Sequence, residues 1–412
     1  MENSTFVTQQ APDAFVASKP AIAQNRIASV DVYRGFVMLL MMGEVLSFSK
    51  VSASLPGNGF WELLSFHQSH VPWTWLALHD MIQPSFTFLV GVVLPYSIAN
   101  RKSKGASVNS LLVHTIKRSL ILIFLGIFLR SMHASQTYFT FEDTLSQIGM
   151  GYTFLVLLGF CSNRTQIISL VIILVGYWLA FALYPLPDSS FDYAMAGVNA
   201  NWDNNLHGFA AHWNKNTNLA WAFDRWFLNL FPRKSVFLFN EGGYSTLSFI
   251  PTLGTMILGL IAGNALHSGI LQKQKIMFFV KTAFALMAIG ILLHITGINP
   301  IVKRIWTPAW TIFSGGICFL MLAFFYGVVD VAGKKKWSYF LLVIGANSIA
   351  AYVMADGGLL SLIHHSLYIH LGKNFDQFLG IALAPLISGG ITLLILWLIL
   401  NWMYKKKIFI KI

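Results

Sequence analysis

Ten apolar runs, each long enough to cross a bilayer, set the rhythm of this chain. They cover roughly 28–48, 78–99, 111–133, 145–161, 166–184, 246–266, 277–297, 309–331, 338–356 and 379–404. A bilayer core of about 30 Å needs about 20 apolar residues in an α-helix. Only helices and closed barrels satisfy their backbone polar groups in lipid, and these runs are too continuous for barrel strands. The pattern predicts an all-α, polytopic membrane helix bundle with about ten transmembrane helices, forming one domain over 26–412. Residues 1–25 are polar and lack the apolar stretch of a cleaved signal, so they read as a disordered cytoplasmic tail. A shorter apolar segment, 357–372, reads as a re-entrant or interfacial helix.

Composition agrees. The chain is 56% hydrophobic and only 11% charged, against about 25% charged in soluble domains. The net charge of +12 is therefore topology information and not a nucleic-acid footprint, and no nucleic-acid partner is expected. Arg101, Lys102, Lys104, Lys117, Arg118, Arg164, Lys334 to Lys336 and Lys405 to Lys407 fall in loops on one side. Fewer cations, spread over longer loops, fall on the other. The positive-inside rule places both termini in the cytoplasm. The loop 185–245 then faces outward, as does His70. That loop is rich in amides and tryptophans (Asn199, Asn201, Trp202, Asn205, Trp213, Asn214, Asn216, Asn218, Trp221, Trp226). Such residues suit a sugar-binding surface and equally an interfacial cap at headgroup depth.

Candidate chemistry concentrates where the second run begins. His70 is followed by Pro72, Trp73 and Trp75, and Asp80 lies ten residues on, ahead of Pro84. A neutral imidazole accepts protons or attacks carbonyl carbon, and a carboxylate beside it orients the ring. An ordinary interfacial histidine fits the same spacing, and His67 and His79 compete with His70 for the role. Glu44 sits near the outer end of the first run, where an ionisable side chain turns toward other helices or a cavity; it is a second carboxylate for the reaction centre. At the start of that run Ser29 is a candidate helix cap, and Asp31 and Arg34 are placed to pair. The two cysteines, Cys161 and Cys318, lie in apolar runs. His364, His365 and His370 lack companion carboxylates or cysteines, so no metal is expected. No phosphate-binding glycine loop occurs.

Several motifs resemble one known family. They are Ser29-Val-Asp31-x-x-Arg34-Gly35, His70-x-x-Trp73 with Asp80-x-x-x-Pro84-x-Phe86-x-Phe88-x-x-Gly91, Asn218-Leu-Ala-x-x-x-Asp224-Arg225, Glu241-Gly242 before Ser245-Thr246-Leu247, Asn299-Pro300-x-x-Lys303-x-x-Trp306-Thr307, Gly345-x-Asn347-Ser348-Ile349, and the tail from Tyr404. In this order they resemble the catalytic domain of the heparan-α-glucosaminide N-acetyltransferases and their bacterial membrane relatives. The resemblance implies an acetyl-CoA-dependent N-acetyltransferase. It would move an acetyl group from cytoplasmic acetyl-CoA to an amino sugar or glycan amine outside a bacterial plasma (inner) membrane, and a homodimer is possible. It assigns the active histidine to His70; the reading of the residues adds Asp80 orienting it and Glu44 lining the pocket. It also makes Trp73, Asp224, Arg225, Glu241 and Asn347 acceptor-binding candidates. Two departures concern the acceptor. Met42-Gly43-Glu44-Val45 stands where the lysosomal enzymes carry an asparagine, and Ser146-Gln147 stands for a Gln-Arg pair.

Coenzyme A is cytoplasmic, so such a transfer needs a corridor from inner basic loops to the outer histidine. Arg101, Lys102, Lys104, Lys117 and Arg118 form the densest inner cluster and are the candidates for holding the coenzyme's phosphates; ordinary topology signalling explains them equally. His70 either carries the acetyl group or deprotonates the amine for direct attack, the latter being slightly favoured. The rival class is a proton-coupled sugar transporter using Glu44 and Asp80. Its sign would be inverted repeats with broken helices, and none is apparent in the sequence. A non-catalytic scaffold for glycan assembly is a third class, and it predicts no dependence on His70.

Overall fold

The structure is a computed structural model and describes residues 27–410. The expected tail 1–25 lies outside the described residues, as do Arg26 and the last two positions. Regular structure is helical throughout the described residues, apart from a single antiparallel bridge between Thr74 and Val302.

Seven continuous helices are long and apolar enough to cross a membrane: Leu78–Ser103, Val108–Ser131, Asn163–Ala182, Thr246–His267, Gln272–Ile295, Pro308–Val331 and Ile381–Lys405. Two further spans are bent pairs, giving up to nine. The remaining expected run, 145–161, yields the shorter helix Thr144–Gly159 of 16 residues, which rises only about 24 Å. The chain is a multi-pass membrane protein.

The two breaks correct the expectation of unbroken helices. The first span, Ala28–Leu46, turns by 41° into Phe48–Ser54 at Ser47, whose φ of 50° is left-handed. The second, Tyr339–Ala346 with Ser348–Asp356, turns by 78° at Asn347. Freed backbone groups in an apolar surrounding need partners. Here the Asn347 side chain donates to the Ile408 carbonyl at 3.0 Å and accepts from the Ile410 N–H at 3.3 Å, so the tail plugs the break.

Ser29 does not cap the first helix. The helix begins at Ala28, and the Ser29 N–H is met by the Asp330 carboxylate at 3.2 Å. Asp31 and Arg34 do pair, at 3.2 Å. The bundle is drawn tight where glycines let backbones touch. A Cβ on Gly91 would overlap the Met256 carbonyl, and one on Gly259 the Phe88 carbonyl, so Ile82–Ser103 and Phe249–His267 cross in direct contact. This crossing fixes the helix that carries Asp80 at its start.

The loop 185–245 folds as a cap with its own small core. In that core Trp213 and Ala220 of the loop pack with Trp73, Tyr177, Phe181, Val302 and Ile305 from outside it. Its amides are largely spent internally. Asn205 donates to Asn199 and Ala200, Asn216 to Ala196 and Asn240, and Asn218 caps Leu219–Phe227. The segment expected at 357–372 is the helix Leu359–Leu371, which has no buried residue.

Candidate active site

Asp80 lies in a short turn, Leu78–Met81, at the mouth of the helix Ile82–Ser103. It is only 1% exposed, and a buried carboxylate must have partners. It has four. One oxygen, Oδ2, accepts from the backbone N–H groups of Ala77 at 2.9 Å and Val71 at 3.3 Å. The other, Oδ1, lies 2.7 Å from His70 Nδ1 and 3.1 Å from Lys303 Nζ.

This sharing fixes the imidazole. Oδ1 can only accept, so His70 Nδ1 carries the hydrogen and Nε2 keeps its lone pair. Lys303 Nζ also lies 3.2 Å from His70 Nδ1, but in this tautomer Nδ1 has no lone pair to offer and the ammonium serves the carboxylate. The result is a histidine–carboxylate pair of the kind that stabilises an imidazolium, with a lysine on the same oxygen. Burial lowers the His70 pKa, the Asp80 bond opposes that, and the Lys303 charge reinforces it. The ring is therefore neutral at neutral pH. Lys303 is also lowered by its burial, against the pull of Asp80.

Lys303 comes from a distant loop, and main-chain pairing brings it in. Thr74 bridges to Val302, and the Trp75 N–H donates to the Ile301 carbonyl at 3.1 Å. Trp75 accepts a φ of 71°, a strained value for a bulky residue, where it makes this bond. Arg304 adds a clasp, donating to the carbonyls of Val71 at 3.0 Å and Gly242 at 2.7 Å.

The His70 ring is 38% exposed as a side chain and faces a cavity of about 360 Å³. Glu44, His79, Arg130, Glu142, Tyr244 and Tyr352 also line it. Such a volume is at the small end for ligand pockets, enough for a reacting group and a small acceptor. Burial raises the Glu142 and Asp143 pKa values, and the nearby Arg130 charge opposes the rise.

The candidates from sequence divide cleanly. His70, Asp80 and Glu44 share one site. Trp73 is fully buried and donates its indole N–H to the Trp213 carbonyl at 3.1 Å, so it stiffens the loop and presents no face to a ligand. Asp224 is buried, accepting the Thr246 N–H at 2.9 Å; burial lifts its pKa to about 7. Arg225 lies over the Trp221 ring at 4.9 Å, and Glu241 is exposed beside the cap. Neither lines the cavity. Asn347 is absorbed by the helix break. His67 accepts the Leu78 N–H at 3.2 Å and stays outside the cavity. The cations Arg101, Lys102 and Lys104 lie at the far end of the helix that Asp80 begins, about 30 Å away. Lys102 covers the Phe160 ring at 5.1 Å, and Arg118 donates to the Tyr152 hydroxyl at 2.9 Å. Lys117 is exposed.

Sequence reasoning had no role for Lys303, although it stood within a matched motif, and it left His79 as a mere competitor. His79 Nε2 lies 3.0 Å from Glu44 Oε1, and its ring centroid is 4.7 Å from that of His70.

Two curated proteins align along most of this chain. Human heparan-alpha-glucosaminide N-acetyltransferase is 23% identical over an alignment of 428 residues, covering 94% of this chain and 60% of that protein. The protein of the same name from Mus musculus is 24% identical over 371 residues, covering 80% and 53%. The chain is a distant relative of these acetyltransferases. It spans a little over half the length of each. No family model matches it. The extent of the alignment accords with acetyltransferase-like motifs spread from the first helix to the last.

Proposed function

We propose that this protein is a transmembrane acetyltransferase in which the His70 imidazole, set by Asp80 and Lys303, serves transfer from acetyl-CoA to a nitrogen acceptor. The observation that carries the reading is the shared Asp80 oxygen. With Nδ1 held by Asp80, the lone pair falls to Nε2 of a histidine that lines a cavity, as a general base or nucleophile requires. In the direct route the acceptor nitrogen attacks the thioester carbon and His70 Nε2 takes a proton from it. Electrons of the broken C–S bond go to sulfur, and His70 returns the proton to the thiolate. In the covalent route Nε2 first attacks the same carbon.

The acceptor is an amino sugar or glycan amine, by analogy with the relatives' printed activity. Acetyl-CoA approaches from the basic Arg101 end, taken as cytoplasmic, and the acceptor from the opposite, outer end. A bacterial plasma membrane is the proposed location. The test is acetyl transfer by the reconstituted chain to a panel of free and polymeric amino sugars. His70→Ala should lose more than about 1,000-fold in kcat/KM while keeping the wild-type elution profile in detergent; full activity in that variant refutes the site.

One observation favours a second reading. The break at Asn347 is the discontinuous-helix feature of transporters. There the freed backbone groups bind substrate or ions, whereas here the Asn347 side chain at the break is bonded to the backbone of the tail. Proton-coupled sugar uptake into vesicles lacking acetyl-CoA would support transport.

A further inference from the structure

Protons do not balance with His70 alone. An aliphatic amine is an ammonium at neutral pH, with reference values of about 7.7–8.0 for an α-amino group and 10.4 for lysine. Converting R–NH3⁺ and an acetyl thioester into R–NH–COCH3 and a thiol removes two protons from nitrogen. The thiolate takes back one, and one must leave. His70 Nε2 can shuttle only one at a time.

A second imidazole stands beside it. His79 Nε2 is 3.0 Å from Glu44 Oε1, within ion-pair distance of the carboxylate. The two histidine rings are 4.7 Å apart at 59° and line the same cavity. His79 is buried, but the Glu44 side chain is 57% exposed. The pair thus runs from the reaction site to the cavity's open side. Glu44 is also held in place. Gln68 donates to the Gly43 carbonyl at 2.7 Å and accepts the Phe48 N–H at 2.8 Å, clamping the turn that carries the carboxylate. Lys303 and Asp356 also interact with the Glu44 charge, and Arg130 and Glu142 line the same cavity. As an ion pair alone, so exposed a partner contributes little, which gives little structural reason for a buried imidazole here.

We propose that His79 takes the first proton from the acceptor's ammonium and that Glu44 positions it and passes the proton outward, leaving His70 to take the second. The N–H electron pair stays on nitrogen, which becomes the neutral nucleophile; the proton moves to the His79 ring and from it, by way of Glu44, to solvent. This role rests on the amine-acceptor reading above.

The experiment compares two acceptors for the reconstituted chain with acetyl-CoA at one neutral pH. Glucosamine must lose a proton before it attacks, whereas gluconic acid hydrazide is already neutral at its terminal nitrogen. His79→Gln and Glu44→Gln should each lose about tenfold in kcat/KM with glucosamine, of which about a tenth is already neutral at pH 7, but no more than about twofold with the hydrazide. The hydrazide rate doubles as the folding control. His70→Ala should lose both activities. Equal losses on the two acceptors, or no loss with glucosamine, overturn the proposal. A wild-type protein inert toward both acceptors overturns the amine-acceptor reading and the second base with it.

Discussion

Replacing Asp80 with asparagine tests the site most sharply, because one atom change must do two separable things. The carboxylate accepts four bonds, at 2.7, 3.1, 2.9 and 3.3 Å. An amide has one accepting oxygen. Turned toward the Ala77 and Val71 N–H groups, it leaves its NH2 facing His70 Nδ1 and Lys303 Nζ. His70 then moves its hydrogen to Nε2 and accepts at Nδ1, which places the wrong tautomer in the cavity. In a serine protease the same exchange costs about 10⁴ in kcat, and a similar loss is expected here. Lys303, only 5% exposed, is left without its counter-charge. Stranding one member of a buried pair costs about 3–5 kcal/mol; the already lowered pKa of Lys303 puts the expectation at the low end. Adding Lys303→Met removes the stranded charge. The double variant should therefore melt above Asp80→Asn while remaining as inactive. The assays are acetyl-CoA turnover and thermal unfolding of the detergent-solubilised chain. Asp80→Asn activity within tenfold of wild type, or a double variant no more stable than the single, would refute the shared-oxygen argument.

Other consequences are open to the same assays. The lowered His70 pKa keeps the ring neutral below its ordinary 6.5, so the acid limb of kcat/KM should have its midpoint below pH 6.5; a midpoint above it contradicts the assignment. Asp224 is raised from 3.8 to about 7, so between those values the folded state holds a proton that the unfolded chain has released. Stability should fall across that window by about 1.4 kcal/mol per pH unit, and Asp224→Asn should remove the fall, melting above wild type at pH 8; an unchanged pH dependence would count against it. Reversing the exposed Lys104 and Lys117 to glutamate should raise the KM for acetyl-CoA about tenfold or more without changing membrane insertion, and an unaltered KM would free that end of any coenzyme role.

The spans were legible because hydropathy over about 20 residues is a strong, local signal. The same signal hid the broken span, since Asn347 is one amide within an apolar run and its partners at 408 and 410 are some sixty residues on. His70 and Asp80 were legible together because their ten-residue spacing straddles a loop entering a helix. Lys303 was not. Its partnership with Asp80 spans 223 residues and depends on a two-residue bridge too brief to leave any periodicity. The polar cap reads two ways for another reason. Asparagines suited to sugar hydroxyls are equally suited to backbone carbonyls, and composition does not say which they meet.

Under the proposed function, the Thr74–Val302 bridge sets a time for the onset of reactivity. A nascent polypeptide still lacking the segment around 300 would insert its early spans with the histidine and its carboxylate already in the bilayer, but without the ammonium that completes their arrangement. Ribosomal products halted before that point should be chemically silent, whatever share of the bundle they have assembled.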